Sequence, residues 1–448
     1  MGLIYSRKVR IFFIILALLV ILVGKFLITA NSEYGLLYIY GVSVTLSTLL
    51  LFYIAFTKYR DPYYLSKNIP ESKKKRYFAS LLVAVKNEEK DIEECIKSLV
   101  NQTYKNREII FVNDASTDGT AQILDFYARK KLIWVIHLKE NVGKKRALAK
   151  AMLMAKGEIF VFSDSDTVVA LDAVEKIVDV FNVDPLIGAV SGHCRALNGN
   201  ENFLTKIQDS WYDGQFSIKK AFESVYGVVT CVSGPLAAFR KEAIFNFIPA
   251  WENDKFLGEE FRFATDRTLT GFVLGSKAVG GKLKAKYKDS PFVKDVDYPL
   301  KEWKIVYCKA ARAWTIVPNT FKKLLRQQVR WKKSFIRNVF FTGTFYWRKP
   351  FFPVLYYYLH ILFVIAGPFI AFRHLVLLPM NGDMFSAFLY LSGIIFVGFM
   401  FGVAYRLENR GCHKWVYRPL MSLMSTLLLS WLLFYSLFTI RKKIWSRG

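Results

Sequence analysis

The chain has 448 residues, of which 53% are apolar types and 16% aromatic, and its 63 Lys plus Arg outnumber 36 Asp plus Glu to leave a net charge of +27. A chain both greasy and basic is not intrinsically disordered, since disorder goes with few aromatics, and it is too apolar to be wholly soluble. Cysteines at 95, 194, 231, 308 and 412 make no CxxC pair, so they read as buried thiols of a reducing compartment rather than a disulfide framework or a zinc site.

In chain order, Ile11 to Thr29 is apolar except for Gly24 and Lys25, and Gly35 to Phe56 runs 22 residues without a charge. At about 1.5 Å per residue, each covers a hydrocarbon core of roughly 30 Å. No small-residue cleavage site follows the first stretch cleanly and the second comes at once, so both are expected as spans rather than one as a cleaved signal. Arg7, Lys8 and Arg10 precede the pair, Lys58, Arg60 and Lys73 to Arg76 follow it, and the linker Ala30 to Glu33 has no cation. The positive-inside rule then puts both flanks in the cytoplasm.

About 290 residues of mixed character follow, enough for a substantial core. Strands are predicted over Phe78 to Val85, Glu108 to Val112, Ile133 to Leu138 and Glu158 to Phe162. Helices are predicted over Asp91 to Val100, from a cap at Ser116 or Thr117 to about Arg129, and over Lys144 to Ala155. That alternation implies an α/β domain with a doubly wound, mostly parallel sheet. Such sheets bind ligands beyond the carboxyl ends of their strands. Asp114 follows the second strand and Asp164-Ser165-Asp166 the fourth, whereas neither GxGxxG nor a P-loop occurs. Asp-x-Asp alone is most often a solvated loop. In an extended segment at a strand end its two carboxylates share one face and suit Mg²⁺ or Mn²⁺, with substrate phosphates completing the shell.

Further on, Asp266 by itself reads as half of a surface ion pair. Gln327, Arg330 and Trp331 fall at i, i+3 and i+4 on one helical face. There an Arg can grip a diphosphate and a Trp can offer a flat face to a sugar. Lys322, Lys323, Arg326, Lys332, Lys333 and Arg337, set among Phe321, Leu324, Leu325, Phe335 and Val339, make this a basic amphipathic helix expected at a membrane surface. A nucleic-acid patch is disfavoured by the spans on both sides. Phe351 to Phe372 and Met384 to Tyr405 are predicted spans. Val416 to Ile440, whose single crossing would leave the basic tail Arg441 to Arg447 outside, is expected as two short passes or a re-entrant hairpin.

Taken together, Val112 to Ser116, Asn141 to Lys144, Ser163 to Thr167, Arg195 with Asn198, Cys231 to Leu236, Phe256 to Gly258, Asp266-Arg267 with Leu269-Thr270, and Gln327 to Phe335 make an ordered motif set. Through them, from about Phe78 to Arg337, the chain resembles the family 2 glycosyltransferases, above all the membrane-embedded hyaluronan synthases and their chitin- and cellulose-synthase relatives. The resemblance implies a Rossmann-like domain of the GT-A type inserted between N- and C-terminal transmembrane helices. It implies two spans in 1–58, a cytoplasmic catalytic domain in 59–320, amphipathic interfacial helices in 321–350, and three or four passes in 351–448. It implies that Asp114, Lys144 and Asp164 bind a UDP-sugar (UDP-GlcNAc, UDP-GlcUA or UDP-Glc), closed over by Gln327, Arg330 and Trp331. Asp166, joined by Asp164 where a second ligand is needed, would hold Mn²⁺ or Mg²⁺, and Asp266 would be the general base. Arg195, Asn198, Cys231, Ser233, Gly234 and Pro235, floored by Trp331, would line the acceptor pocket for a growing polysaccharide.

The chain departs from the family at Thr265-Asp266, where Asp-Asp is usual, and in a longer stretch from Thr270 to Gln327 with extra lysines around Lys282 to Lys301. The activity implied is processive, inverting synthesis and export of a β-linked polymer by a multi-pass plasma-membrane enzyme among lipids, with no nucleic-acid partner. The alternatives are a non-processive enzyme adding one sugar to a lipid-linked acceptor, and a transporter with a nucleotide-sensing domain. The transporter is disfavoured because Lys25 and His360 are nearly the only ionisable groups in the spans.

Overall fold

In the computed structural model, residues 35–409 and 411–442 are described; the expected span Ile11 to Thr29 and most of the basic tail lie outside them. The described residues fall into two units, residues 35–59 with Leu355–Leu433, and Arg60–Val354 with residues 434–442.

In the first unit, helix α1 (Gly35–Thr57) follows from the charge-free run. Its threonine hydroxyls turn back onto the backbone: Thr45 and Thr48 each donate at 2.7 Å to the carbonyl four residues back. Three helices among the described residues are long and apolar enough to cross a membrane, Ile39–Ser66, Phe351–Met380 and Met384–Glu408. A further pair, Lys414–Leu429 and Leu432–Phe438, bends by 42° at its break. Gly398 and Gly402, one turn apart, face the chain that follows. A Cβ at 398 would come within 2.6 Å of the Pro419 Cα, and one at 402 within 2.9 Å of the Trp415 carbonyl oxygen. Small residues at this spacing let two backbones approach where lipid supplies no hydrophobic drive.

In the second unit the strands are β1 (Ala79–Val85), β2 (Arg107–Asn113), β3 (Trp134–His137), β4 (Ile159–Phe162), β5 (Thr167–Val169), β6 (Ile187–Ala196), β7 (Ala237–Arg240) and, after a two-stranded ribbon β8–β9 (Lys255–Phe256 and Glu259–Glu260), β10 (Lys304–Thr315). They form one eight-stranded sheet in the order β3-β2-β1-β4-β7-β6-β10-β5, plus the ribbon. The β1–β2, β1–β4, β2–β3 and β6–β10 pairs are parallel, and β7 runs antiparallel to both β4 and β6. β1 and β4 are buried nearly throughout, as strands covered on both faces must be, and so are apolar without alternation. Helices α2 (Ile92–Val100), α3 (Thr120–Arg129) and α4 (Lys144–Met154) follow β1, β2 and β3, and α5 (Ala173–Asp179) follows β5. The doubly wound, mostly parallel sheet of the GT-A type is present.

The α3 boundary differs from the sequence reading. The helix begins at Thr120, so neither Ser116 nor Thr117 caps it. Instead the Ser116 Oγ accepts from the Asn87 N–H at 3.0 Å, and the Thr117 N–H donates to Asn87 Oδ1 at 2.8 Å. Their polar groups are spent on tying the loop after β2 to the loop after β1, because Ala115, at φ 56°, has already turned the chain aside.

Candidate active site

The carboxyl ends of β2 and β4 carry the first group of residues. Asp114 is 5% exposed and accepts from the Val142 N–H at 2.8 Å and the Gly143 N–H at 3.0 Å. Gly143, at φ 87°, makes this turn possible directly before α4. The turn delivers Lys144 at the first position of α4, where its ammonium pairs with Asp164 Oδ1. Burial alone would lower the lysine pKa, but Asp164, Asp266 and Asp166 outweigh it and hold the ammonium above its ordinary value. Gly234 crowds Asp164 from the other side, since a Cβ there would sit 3.0 Å from both carboxylate oxygens. Asp166 accepts from Thr315 Oγ1 at 3.2 Å. Burial, reinforced by the Asp164 charge, pushes its carboxyl up to about 6.

The second group comes from the connection between β6 and β7 and from helix α7 (Thr265–Leu274). Asp266 lies in the first turn of α7, after Ala264 at φ 61°. Its Oδ1 accepts from the Arg267 N–H at 2.9 Å, and its Oδ2 accepts from the Cys231 thiol at 3.5 Å. The Thr270 hydroxyl locks the two segments together by donating to the Asp266 carbonyl at 2.7 Å and accepting from the Val232 N–H at 3.0 Å. Ser233 lies 3.9 Å from the Cys231 sulfur. Because Asp266 acts electrostatically on Lys144, which is paired with Asp164, the β4 carboxylates and the α7 carboxylate address one site.

Helix α8 (Phe321–Tyr346) closes it. Arg330 feels the charges of Asp164 and Asp166 and the Tyr212 phenol, while burial draws its pKa below the ordinary guanidinium value. Trp331 packs on helix α6 (Phe203–Gly214), with ring centres 5.6 Å from Trp211 and 5.9 Å from Tyr212. Gln327 hydrogen-bonds the Tyr212 hydroxyl, and its Oε1 is buried with no partner among the described residues. Lower on the helix, Arg337 and Lys145 grip opposite oxygens of the buried Asp254, at 2.5 and 2.9 Å. Lys333, fully buried, donates to the carbonyls of Thr439 and Lys442.

Asp114, Lys144, Asp164, Asp166, Cys231, Ser233, Gly234, Asp266 and Arg330 are thus linked by contacts or mutual electrostatics. Pro235 lends its carbonyl to the Ser163 hydroxyl at 3.2 Å. Arg195 and Asn198 are engaged elsewhere: Arg195 pairs with Asp209 at 2.8 Å, and the Asn198 amide exchanges bonds with Val317 while also donating to Glu201. Sequence reasoning misses Lys220, Trp211, Tyr212 and Asp254. Only the adjacent aromatics Trp211-Tyr212 leave a trace in the sequence. A lone buried lysine and a lone buried aspartate leave none.

The family model described as Glycosyl transferase family 2 matches residues 80–245. The chain is 27% identical over 424 residues to the hyaluronan synthase of Streptococcus pyogenes, covering 91% of this chain and 92% of that one. It is 30% identical over 252 residues to the N-acetylglucosaminyltransferase of Rhizobium meliloti, covering 56% of this chain and 53% of the relative. Among solved structures, a mannosyltransferase from Pyrobaculum calidifontis in complex with GDP-Man and Mn²⁺ aligns with a TM-score of 0.48 at 19% identity, over 89% of this chain and 99% of that one. The matched domain, the similarity along nearly the whole chain and the helices long enough to cross a membrane agree: the chain is a membrane glycosyltransferase, with residues 80–245 matching family 2 and a likeness to the hyaluronan synthases along nearly its whole length.

Proposed function

We propose that the protein is a processive, inverting glycosyltransferase of the plasma membrane. It builds a β-linked, hyaluronan-like polysaccharide from UDP-sugars on the cytoplasmic side and exports it through its own membrane helices, which would shield a polar chain from lipid. The observation that carries the reading is the opposition of two charge types at one site. Asp266, oriented by the Arg267 N–H and Cys231, faces Lys144, and the Asp164–Asp166 pair draws in Arg330. An acceptor hydroxyl gives its proton to Asp266 as its oxygen bonds to the anomeric carbon. The bond from that carbon to the diphosphate breaks, the electron pair leaves with UDP, and the configuration inverts. A positioned base contributes typically ~10²–10⁴ in rate, and Lys144 and Arg330 stabilise the charge that develops on UDP.

The donor set fits a hard divalent cation: two carboxylates lie on one short loop, and one of them is pushed up to about 6 beside its neighbour. Asp166 with Asp164 would hold Mn²⁺ or Mg²⁺, which when bound adds charge neutralisation at the diphosphate. The described residues offer no cluster of three or more such side chains, so substrate oxygens would complete the shell. The unpartnered Gln327 Oε1 suits a sugar hydroxyl, and the Trp331 ring a sugar ring.

The deciding experiment supplies UDP-GlcNAc, UDP-GlcUA and UDP-Glc, singly and in pairs, with Mn²⁺ or Mg²⁺, to membranes containing the full chain. A hyaluronidase-sensitive polymer from the UDP-GlcNAc and UDP-GlcUA pair is expected. A product one sugar long rejects processivity, and a polymer that resists the enzyme rejects the hyaluronan-like product.

A further inference from the structure

Behind the candidate base lies a buried cation that the reaction as described does not use. Lys220 closes a π-helical turn, Gln215–Lys220, a distortion that recurs at functional sites. The residue is 7% exposed, and its ammonium lies 4.0 Å from the Phe216 ring centre. It donates to Ser191 Oγ and to Ser233 Oγ, both at 2.7 Å, and pairs with no carboxylate among the described residues. A buried ammonium held only by neutral hydroxyls is costly, and nothing in local packing calls for it.

From Lys220 a run of donors leads to Asp266. The Ser233 oxygen accepts from Lys220 and so has its own proton to give; the nearest acceptor across the turn is Cys231 Sγ, at 3.9 Å. The Cys231 thiol in turn points at Asp266 Oδ2. Every hydrogen in the series Nζ–H, Oγ–H, Sγ–H is aimed at the carboxylate, so each bond polarises the next. We propose that Lys220 is a positioning residue for transfer, holding Asp266 Oδ2 oriented through Ser233 and Cys231. The ammonium itself touches no substrate. The groups facing this series are Glu223 and Cys194 around Lys220, Arg267 and Lys219 beside Cys231, and Lys144 across from Asp266. Burial brings Lys220 down to about 8, so below that pH the cation is present for most molecules.

This inference rests on Asp266 being the base and deepens that reading. A carboxylate that loses its orientation removes the acceptor proton less well while the donors bind as before, so kcat must fall with the donor KM values unmoved. The test uses membranes containing the full chain, UDP-GlcNAc and UDP-GlcUA each varied through saturation, and saturating Mn²⁺ so that metal loading does not limit the rate. For Lys220→Met kcat is expected to fall about tenfold, and for Ser233→Ala, which cuts the series but leaves the cation, about threefold. If KM rises in either variant while kcat stays at wild type, Lys220 is only a packing element and the proposal is overturned. Should Lys220→Met not fold, Ser233→Ala decides alone. Asp266→Asn distinguishes the two levels: retained transfer removes Asp266 as the base, whereas loss of transfer with wild-type kcat in the other variants removes only the role of Lys220.

Discussion

The two halves of the sheet are built differently. From β3 to β4 the strands are parallel, short helices separate them, and Asp114, Lys144 and Asp164 sit within a residue or two of a strand or helix end. From β7 to β5 the directions mix, and the residues that matter come from long connections: Lys220 and Cys231 between β6 and β7, Asp266 between β9 and β10, and Trp331 beyond the sheet on α8. In the first half polar groups are held by backbone N–H groups of adjoining turns, as Asp114 is. In the second, side chains from other segments add to that hold, as Cys231 does at Asp266. Under the proposed function, the first construction would suit a donor bound the same way at every turn, and the second an acceptor that advances.

The largest effect that sharpens this contrast is Asp266→Asn. Transfer should fall by ~10²–10⁴, while UDP binding, measured by titration calorimetry, stays near wild type. Equal loss of both would erase the division between halves. Next comes Asp254→Ala, which strips the shared partner from buried Lys145 and Arg337. Unpaired buried charge costs about 3–5 kcal/mol, so thermal unfolding should shift steeply downward. An unchanged melting temperature would mean that α4 and α8 are not tied through this carboxylate.

The next prediction is pH-dependent. Because the Asp166 pKa is raised to about 6, the folded protein keeps that proton until pH rises through 6, and the proton competes with a cation. Mn²⁺ affinity, followed by the paramagnetic resonance of the free ion, should therefore drop by about tenfold per pH unit below 6 and level off above it. A flat affinity from pH 5 to 8 would remove Asp166 from the metal site. The smallest effect is that of Trp331→Ala, which should shorten the polymer and weaken acceptor engagement severalfold, with donor binding less affected. The reverse ranking would move Trp331 to the donor half.

The donor half is largely legible in the amino-acid order. Runs such as Leu81 to Val85 and Ile159 to Phe162 are apolar because both their faces are covered, and the acids after β2 and β4 fall at the strand ends by necessity. The α3 cap is not: Ser116 and Thr117 have the right chemistry for a cap, but Ala115 diverts the backbone and hands their bonds to Asn87. Asp266 stands out through its motif and not through its surroundings, which the sequence does not display. Lys220 and Asp254 stay hidden because one lysine or aspartate among many is indistinguishable from a solvated one until its neighbours are known.

Hydrophobic run length, strand-helix rhythm and motif order were enough to determine the α/β domain, its membrane-crossing helices, its resemblance to the hyaluronan synthases and the residues proposed to face the nucleotide sugar, since each depends on interactions over a few positions of chain. Only the tertiary structure decided that Trp331 packs on Trp211 and Tyr212, that Arg195 and Asn198 are engaged by Asp209, Val317 and Glu201, and that Lys220 lies behind Asp266. Apart from the short-range Asn198–Glu201 bond, those pairings join residues from more than ten to more than a hundred positions apart. Their partners are chosen by where packed helices come to rest, which local propensity does not encode.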